Sequence, residues 1–170
     1  MKTGIIFIAG TYGVGKNTLC NNLSKELNIP FFSSGDLISE INGETYGANK
    51  IVKDKTANQN MLISAVKRKL SMNPVFMLAG HFCIFNKNDE IEILPEFVYK
   101  EMPISKLILL EANIEKIINN IRLLDKKLYS LDAIESLILT ERKQAEIISG
   151  QLNLPLYTPK YEIPGRAVSP

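Results

Sequence analysis

An excess of charge of either sign is missing from this chain: 20 Lys and Arg against 18 Asp and Glu leave a formal net charge of +2 over 170 residues, with a pI near 8.4. Such a balance makes no strong field, so nucleic acid is not an expected partner, although a modestly basic cleft for phosphates is allowed. Cysteine is scarce too. Cys20 and Cys83 lie in apolar surroundings without metal-ligand spacing and read as two small core residues in a reducing compartment. Histidine occurs once, at His81. No apolar run approaches the length of a membrane span. Lys2 precedes an apolar stretch, as in a secretory signal, but that stretch ends in glycines after five residues and offers no cleavage pattern. The expectation is a cytoplasmic protein with neither a membrane nor a nucleic-acid partner. With 45% hydrophobic and 22% charged residues the chain suffices for one well-buried core and is too short for two comfortable domains, so residues 1–170 read as a single domain.

What the chain does have is one dense stretch, Ile5-Ile6-Phe7-Ile8-Ala9-Gly10-Thr11-Tyr12-Gly13-Val14-Gly15-Lys16-Asn17-Thr18-Leu19. Ile5 to Ala9 is β-branched and aromatic with no polar alternation, the pattern of a strand covered on both faces. Gly10, Gly13 and Gly15 let the backbone adopt left-handed angles and come close to a ligand. Amides of the loop and of the helix that follows then point at an anion, the helix dipole favours negative charge, and Lys16 adds a full positive charge. Gly10 and four residues to Gly15-Lys16 is the spacing of a P-loop. Asn17 stands where a Mg²⁺-binding hydroxyl is usual, and Thr18, one residue on, is the nearest substitute. The stretch therefore predicts a phosphate cradle made by Gly10, Thr11, Tyr12, Gly13, Val14, Gly15, Lys16, Asn17 and Thr18.

Leu19, Cys20, Leu23 and Leu27 share one helical face, and Asn28-Ile29-Pro30 closes that helix. Pro30-Phe31-Phe32 reads as a short second strand, followed by Ser33 to Asp36 and a short helix through Leu37, Ile38 and Ile41, stopped by Asn42-Gly43. Glu44 to Gln59 is polar and predicts an exposed, partly mobile segment; Met61, Leu62, Ala65, Val66 and Leu70 mark the next helix. Val75 to Ala79 is a third buried strand ending in Gly80-His81, and Phe82 to Asp89 reads as an irregular hairpin or loop. A short helix begins at Leu94-Pro95-Glu96, and Lys106 to Leu110 is a fourth strand. Ile114, Ile117, Ile118, Ile121 and Leu124 line a helix capped by Asn113. Ser130 opens a long helix through Ile134, Leu137, Ile138, Ala145 and Ile148, with Gly150 as its stop and Leu154 to Tyr157 as a fifth strand.

Strands alternating with helices imply an α/β fold, about five parallel strands with helices on both faces. Ligands of such sheets bind beyond the carboxyl ends of the strands. That rule gathers the glycine loop, Ser33 to Asp36 and Gly80-His81 at one edge, with Arg122 and Asp125-Lys126-Lys127 able to fold over it. Three of these residues keep two readings. Asp36 is an N-cap or a substrate contact, and His81 is a loop residue satisfied by backbone or a hydrogen-bonding partner of an acceptor or phosphate oxygen. Arg122 pairs with Asp125 or closes over the site.

On the glycine loop with Gly15-Lys16-Asn17-Thr18, on Ser34-Gly35-Asp36-Leu37, and on Gly80-His81, Leu94-Pro95 and Arg122 to Asp125, the chain resembles the nucleoside monophosphate kinases. In layout it is closest to the compact archaeal-type adenylate kinases and related small P-loop kinases, from Met1 to about Pro155. The resemblance implies a P-loop NTPase three-layer sandwich with a monophosphate-binding-like insertion near 34–72 and a short lid near 122–130. It also implies transfer of the γ-phosphate of Mg-ATP to a nucleoside monophosphate, with Mg²⁺ as cofactor and ATP and a small phosphate acceptor as partners. Lys16 and Arg122 would be catalytic, Gly10 to Thr18 would bind ATP, and Thr18 would hold the metal. Ser34, Gly35, Asp36 and His81 would bind the acceptor, and Asp125, Lys126 and Lys127 would form the lid. The chain departs from the family at Ser39, where an arginine is common, at Ala79, where an acid is common, and at Lys126 and Lys127, where the lid usually has arginines. Two alternatives stay open: an ATP-binding or slowly hydrolysing switch, favoured by Ala79, and a kinase of a non-nucleotide metabolite, favoured by Ser39.

Overall fold

The computed structural model describes residues 3–42, 55–125 and 128–159. Strand β1 (Gly4–Ala9) lies at the centre of a five-stranded sheet, between β3 (Val75–Gly80) and β6 (Ile104–Leu109). The sheet extends to β2 (Phe31–Ser33) beyond β3 and to β7 (Leu156–Tyr157) beyond β6, and every pairing is parallel. The apolar run of β1 is covered on both sides, as its lack of alternation predicts. Ile5, Phe7 and Ala9 pack in one core cluster, with Leu37, Val66, Phe76 and Ile148; Ile8 packs in another, with Cys20, Met77 and Ala79.

Helices connect the strands: α1 (Lys16–Leu27), α2 (Ser34–Asn42), α3 (Lys55–Met72), α4 (Phe97–Glu101), α5 (Ile114–Asp125) and α6 (Leu131–Leu152). Several expected boundaries move. The helix placed at Met61 reaches back to Lys55, inside the stretch expected to be mobile, whose residues 43–54 lie outside the described ones. Gly150 does not stop the long helix. Two further residues are helical, and Asn153 ends it in the left-handed conformation at φ 53°, as Asn28 at φ 54° ends α1. The fifth strand keeps only Leu156–Tyr157. The expected caps form: Asn113 Oδ1 accepts from the Glu115 amide at 2.8 Å, and Ser130 Oγ from the Ala133 amide at 3.1 Å. The stretch after Phe82 is a regular antiparallel hairpin, β4 (Cys83–Phe85) with β5 (Ile91–Ile93), turned through Asp89 at φ 60°.

In register Ala9 stands beside Gly80 and Leu109, and Ser33 beside Ala79. The carboxyl ends of β1, β2 and β3 therefore open on one edge, as the alternation of elements predicts.

Candidate functional site

The loop after β1 is built by its own backbone. Gly13 has φ 89° and Gly15 φ 99°, which a residue with a Cβ rarely adopts. A Cβ on Gly13 would also come within 2.8 Å of the Ile121 side chain on α5. That helix grips the loop, since Asn120 Nδ2 donates to the Gly13 carbonyl at 2.7 Å. Lys16 begins α1 and is buried instead of standing open at the mouth of the site. Its ammonium donates to the Gly10 carbonyl at 2.6 Å and lies 3.4 Å from the Thr11 carbonyl. Burial pushes its pKa down to about 8, against the opposing pull of Glu141 and Cys20. Asn17 and Thr18 face solvent on the first turn of α1.

His81 meets this loop directly. Its Nδ1 lies 2.8 Å from the Gly10 carbonyl and 3.3 Å from the Lys16 ammonium. A carbonyl only accepts, so the short contact places the proton on Nδ1, and the approach to Lys16 is charge proximity, not a hydrogen bond. Burial first and the Lys16 charge second lower the imidazole pKa to about 3, with the Gly10 bond opposing, so the ring is neutral. Of the two readings of His81, backbone satisfaction describes Nδ1.

The residues expected to bind an acceptor sit one strand away. Ser34 Oγ donates to the Ala79 carbonyl at 3.1 Å, tying the start of α2 to the end of β3. The N-cap reading of Asp36 is corrected here. Ser33 Oγ accepts from the Asp36 amide at 3.1 Å, and the Asp36 carboxylate is exposed without a hydrogen bond to any other described residue. Gly35 follows Ser34 in the first turn of α2.

Arg122 is exposed on the last turn of α5, and the Asp125 side chain expected as its alternative partner lies outside the described residues. The expected lid residues Lys126 and Lys127 lie outside them too. Cys20 and Cys83 are buried, as expected, and burial raises both thiols, Cys20 to about 12.

Sequence reasoning missed two residues of α6. Glu141 is 1% exposed, accepts from the Phe82 and Cys83 amides, and is the largest pull keeping Lys16 charged. Arg142 pairs with Glu111, just past the carboxyl end of β6. The signal for Glu141 was in the sequence, since it stands four residues after Leu137 and four before Ala145, within the apolar stripe of its helix.

Among the described residues no cluster of three or more His, Cys, Asp or Glu could cage a metal, and no helix is long and apolar enough to cross a membrane. An exposed hydroxyl at a phosphate loop instead suits Mg²⁺ that arrives with nucleotide phosphates and keeps most of its waters. The donor set therefore fits the ion.

The fold is that of solved small P-loop kinases. Shikimate kinase from Acinetobacter baumannii in complex with shikimate superposes with a TM-score of 0.63 at 14% identity, over 95% of this chain and 85% of that one. Shikimate kinase from Aquifex aeolicus gives 0.59 at 20% identity over 94% and 87%. The Deinococcus radiodurans tunicamycin resistance protein gives 0.60 at 16% over 92% and 99%. At such identities the likeness establishes the three-layer architecture. No curated protein matches the sequence. The loop and most of the chain beyond it, residues 9–137, fit the family described as AAA domain, and the chain belongs to that family.

Proposed function

We propose that the chain is an ATP-dependent phosphotransferase that moves the γ-phosphate of Mg-ATP to a small acceptor. The observation that carries this reading is the meeting of Lys16 on the loop with His81 across one sheet edge, one strand from Ser34 and Asp36. Phosphoryl transfer asks the protein for alignment, charge neutralisation and exclusion of water, with little covalent chemistry. Lys16 would leave the Gly10 carbonyl for the β- and γ-phosphates, which the loop amides also bind. Thr18 with Asn17 would orient Mg²⁺ through water, and the ion would supply neutralisation of phosphate charge. Arg122, exposed on the last turn of α5, would approach the transferring group on closure.

The resemblance at Ser34-Gly35-Asp36-Leu37 supports a nucleoside monophosphate as acceptor, with AMP first. A hydroxyl-bearing metabolite is the second reading, favoured by the exposed carboxylate of Asp36, which capping leaves free to accept from a hydroxyl. A coupled ADP-release screen over monophosphates and small hydroxy compounds, with a no-acceptor control, separates them. Slow ATP hydrolysis alone and strong stimulation by one monophosphate are expected, because a kinase closes on both ligands to suppress transfer to water. A bisubstrate analogue of adenosine and AMP joined by five phosphates should then bind more tightly than ATP. Stimulation by a hydroxy compound alone selects the metabolite kinase; indifference to every acceptor sinks the kinase reading.

A further inference from the structure

Helix α6 carries a charge in its apolar stripe. Ile134, Leu137, Ala145 and Ile148 are buried at helical spacing, and Glu141 is buried among them. A carboxylate in such a place is costly unless fully hydrogen-bonded. Its partners all come from the turn after β3. The Phe82 amide donates to both oxygens at 3.0 Å, the Cys83 amide donates at 3.0 Å, and the Cys83 thiol donates at 3.3 Å. The two amides can only donate, which suits the ionised carboxylate, against the upward pull of burial on its pKa. From the other side, the Tyr99 hydroxyl donates to the His81 carbonyl at 2.6 Å. The residue so pinned is the one whose ring reaches the Gly10 carbonyl.

We infer that Glu141 is a positioning residue of the phosphate site: from α6 it fixes the 81–83 turn so that the His81 imidazole closes on the Gly10 carbonyl beside Lys16. Its functional meaning rests on the phosphotransferase reading; its geometry does not. The groups facing Glu141 are Lys16 from α1, Cys83 from β4 and Tyr99 from α4. Those facing His81 are Lys16 and the Tyr12 ring, whose centroid is 6.4 Å away. Arg142, the next residue of α6, is tied to Glu111.

Because His81 is the only histidine, its ring nitrogens give one unambiguous set of ¹⁵N signals in the full-length protein. The wild type should show a neutral ring with the proton on Nδ1 down to about pH 4, well below the ordinary histidine range. Glu141→Gln places an amide where donors converge, releases the turn and admits water to the ring. The His81 midpoint should then rise by about one unit or more toward 6.5, with loss of the Nδ1–H preference. A folded Glu141→Gln protein whose His81 midpoint and tautomer are unchanged overturns the inference. Should that variant fail to fold, the wild type decides. As the Glu141 carboxyl carbon titrates, above the ordinary carboxylate range because burial raises it, the Phe82 and Cys83 amides and the His81 ring should shift at the same midpoint, and a His81 ring indifferent to that titration also overturns it. Neither measurement uses nucleotide, so failure to bind ATP would sink the proposed function and leave this inference standing.

Discussion

The loop from Gly10 to Thr18 and the turn from His81 to Cys83 bound the same sheet edge, yet they are held in opposite ways. The loop is tied mostly to itself: the Val14 amide donates to the Thr11 carbonyl at 3.0 Å, and Lys16 returns to the Gly10 carbonyl six residues back. The turn is held from afar, by Tyr99 eighteen positions from His81 and by Glu141 fifty-nine positions from Phe82. In the loop, geometry comes from glycines and the helix start, so its charged side chain can be removed without undoing the shape. In the turn the charged side chain is what makes the shape. Substitutions in the first should cost function before stability, and substitutions in the second should cost both.

The hardest test of that contrast is Lys16→Ala. Transfer should vanish and ATP affinity should fall by about tenfold or more, since hydrogen bonds from a charged donor contribute roughly 1.5–3 kcal/mol. The fold should persist, because the loss removes a buried charge whose burial was itself unfavourable. Calorimetry showing unaltered ATP affinity would break the assignment of the loop.

Arg122 extends the same logic to an exposed residue at the far end of α5. A cation that meets the phosphoryl group only on closure acts in the transition state, and such arginines are worth on the order of 10³-fold in turnover. Arg122→Ala should lose most of the rate while ATP binding is nearly preserved. Steady-state kinetics that keep turnover within a few-fold would make it an ordinary surface arginine.

The contrast also explains what could be read before any coordinates. The loop, its strand, the parallel sheet and the edge it opens on are all encoded in neighbouring residues: glycine spacing, a β-branched run, caps at Asn113 and Ser130. Helix ends were less legible, because Gly150 and Asn153 are both competent stops, and it is Asn153 whose left-handed backbone lets its amide donate to the Ser149 and Gly150 carbonyls. The cap at the start of α2 is Ser33, three residues before Asp36; Ser33, Ser34 and Asp36 are all competent caps and local sequence does not rank them. The pairing of Glu141 with Phe82 and Cys83 depends on tertiary contact. A glutamate at helical spacing in an apolar stripe signals a buried charge, but nothing local says which backbone it serves.

Glu141→Ala should therefore act on stability. It orphans the Phe82 and Cys83 amides, and leaving buried donors unmet costs roughly 1–3 kcal/mol each in protein mutational data. A loss of about 2–4 kcal/mol is expected, read as a lower urea midpoint with an unchanged slope. A loss no greater than that of Lys16→Ala would erase the distinction between the two corners.

The smallest expected effect is the pH dependence of the turn. The folded His81 pKa is lowered to about 3, by burial first and by Lys16 second, while the unfolded value is near the ordinary 6.5. Between those values the unfolded chain binds more protons than the native one, so this contribution to stability grows with pH across the window and is lost as pH falls below 6.5. A fully buried ring would lose about 2 kcal/mol by pH 5. His81 is only partly buried, so solvent screening brings the expected loss to roughly 1–2 kcal/mol. Urea melts at pH 7 and pH 5 of wild type and His81→Asn isolate it, because asparagine fills part of the space without titrating. The wild type should lose stability by that margin more than the variant. Equal losses would mean that the ring is as accessible to protons folded as unfolded, and that the turn does not hold it against the Gly10 carbonyl.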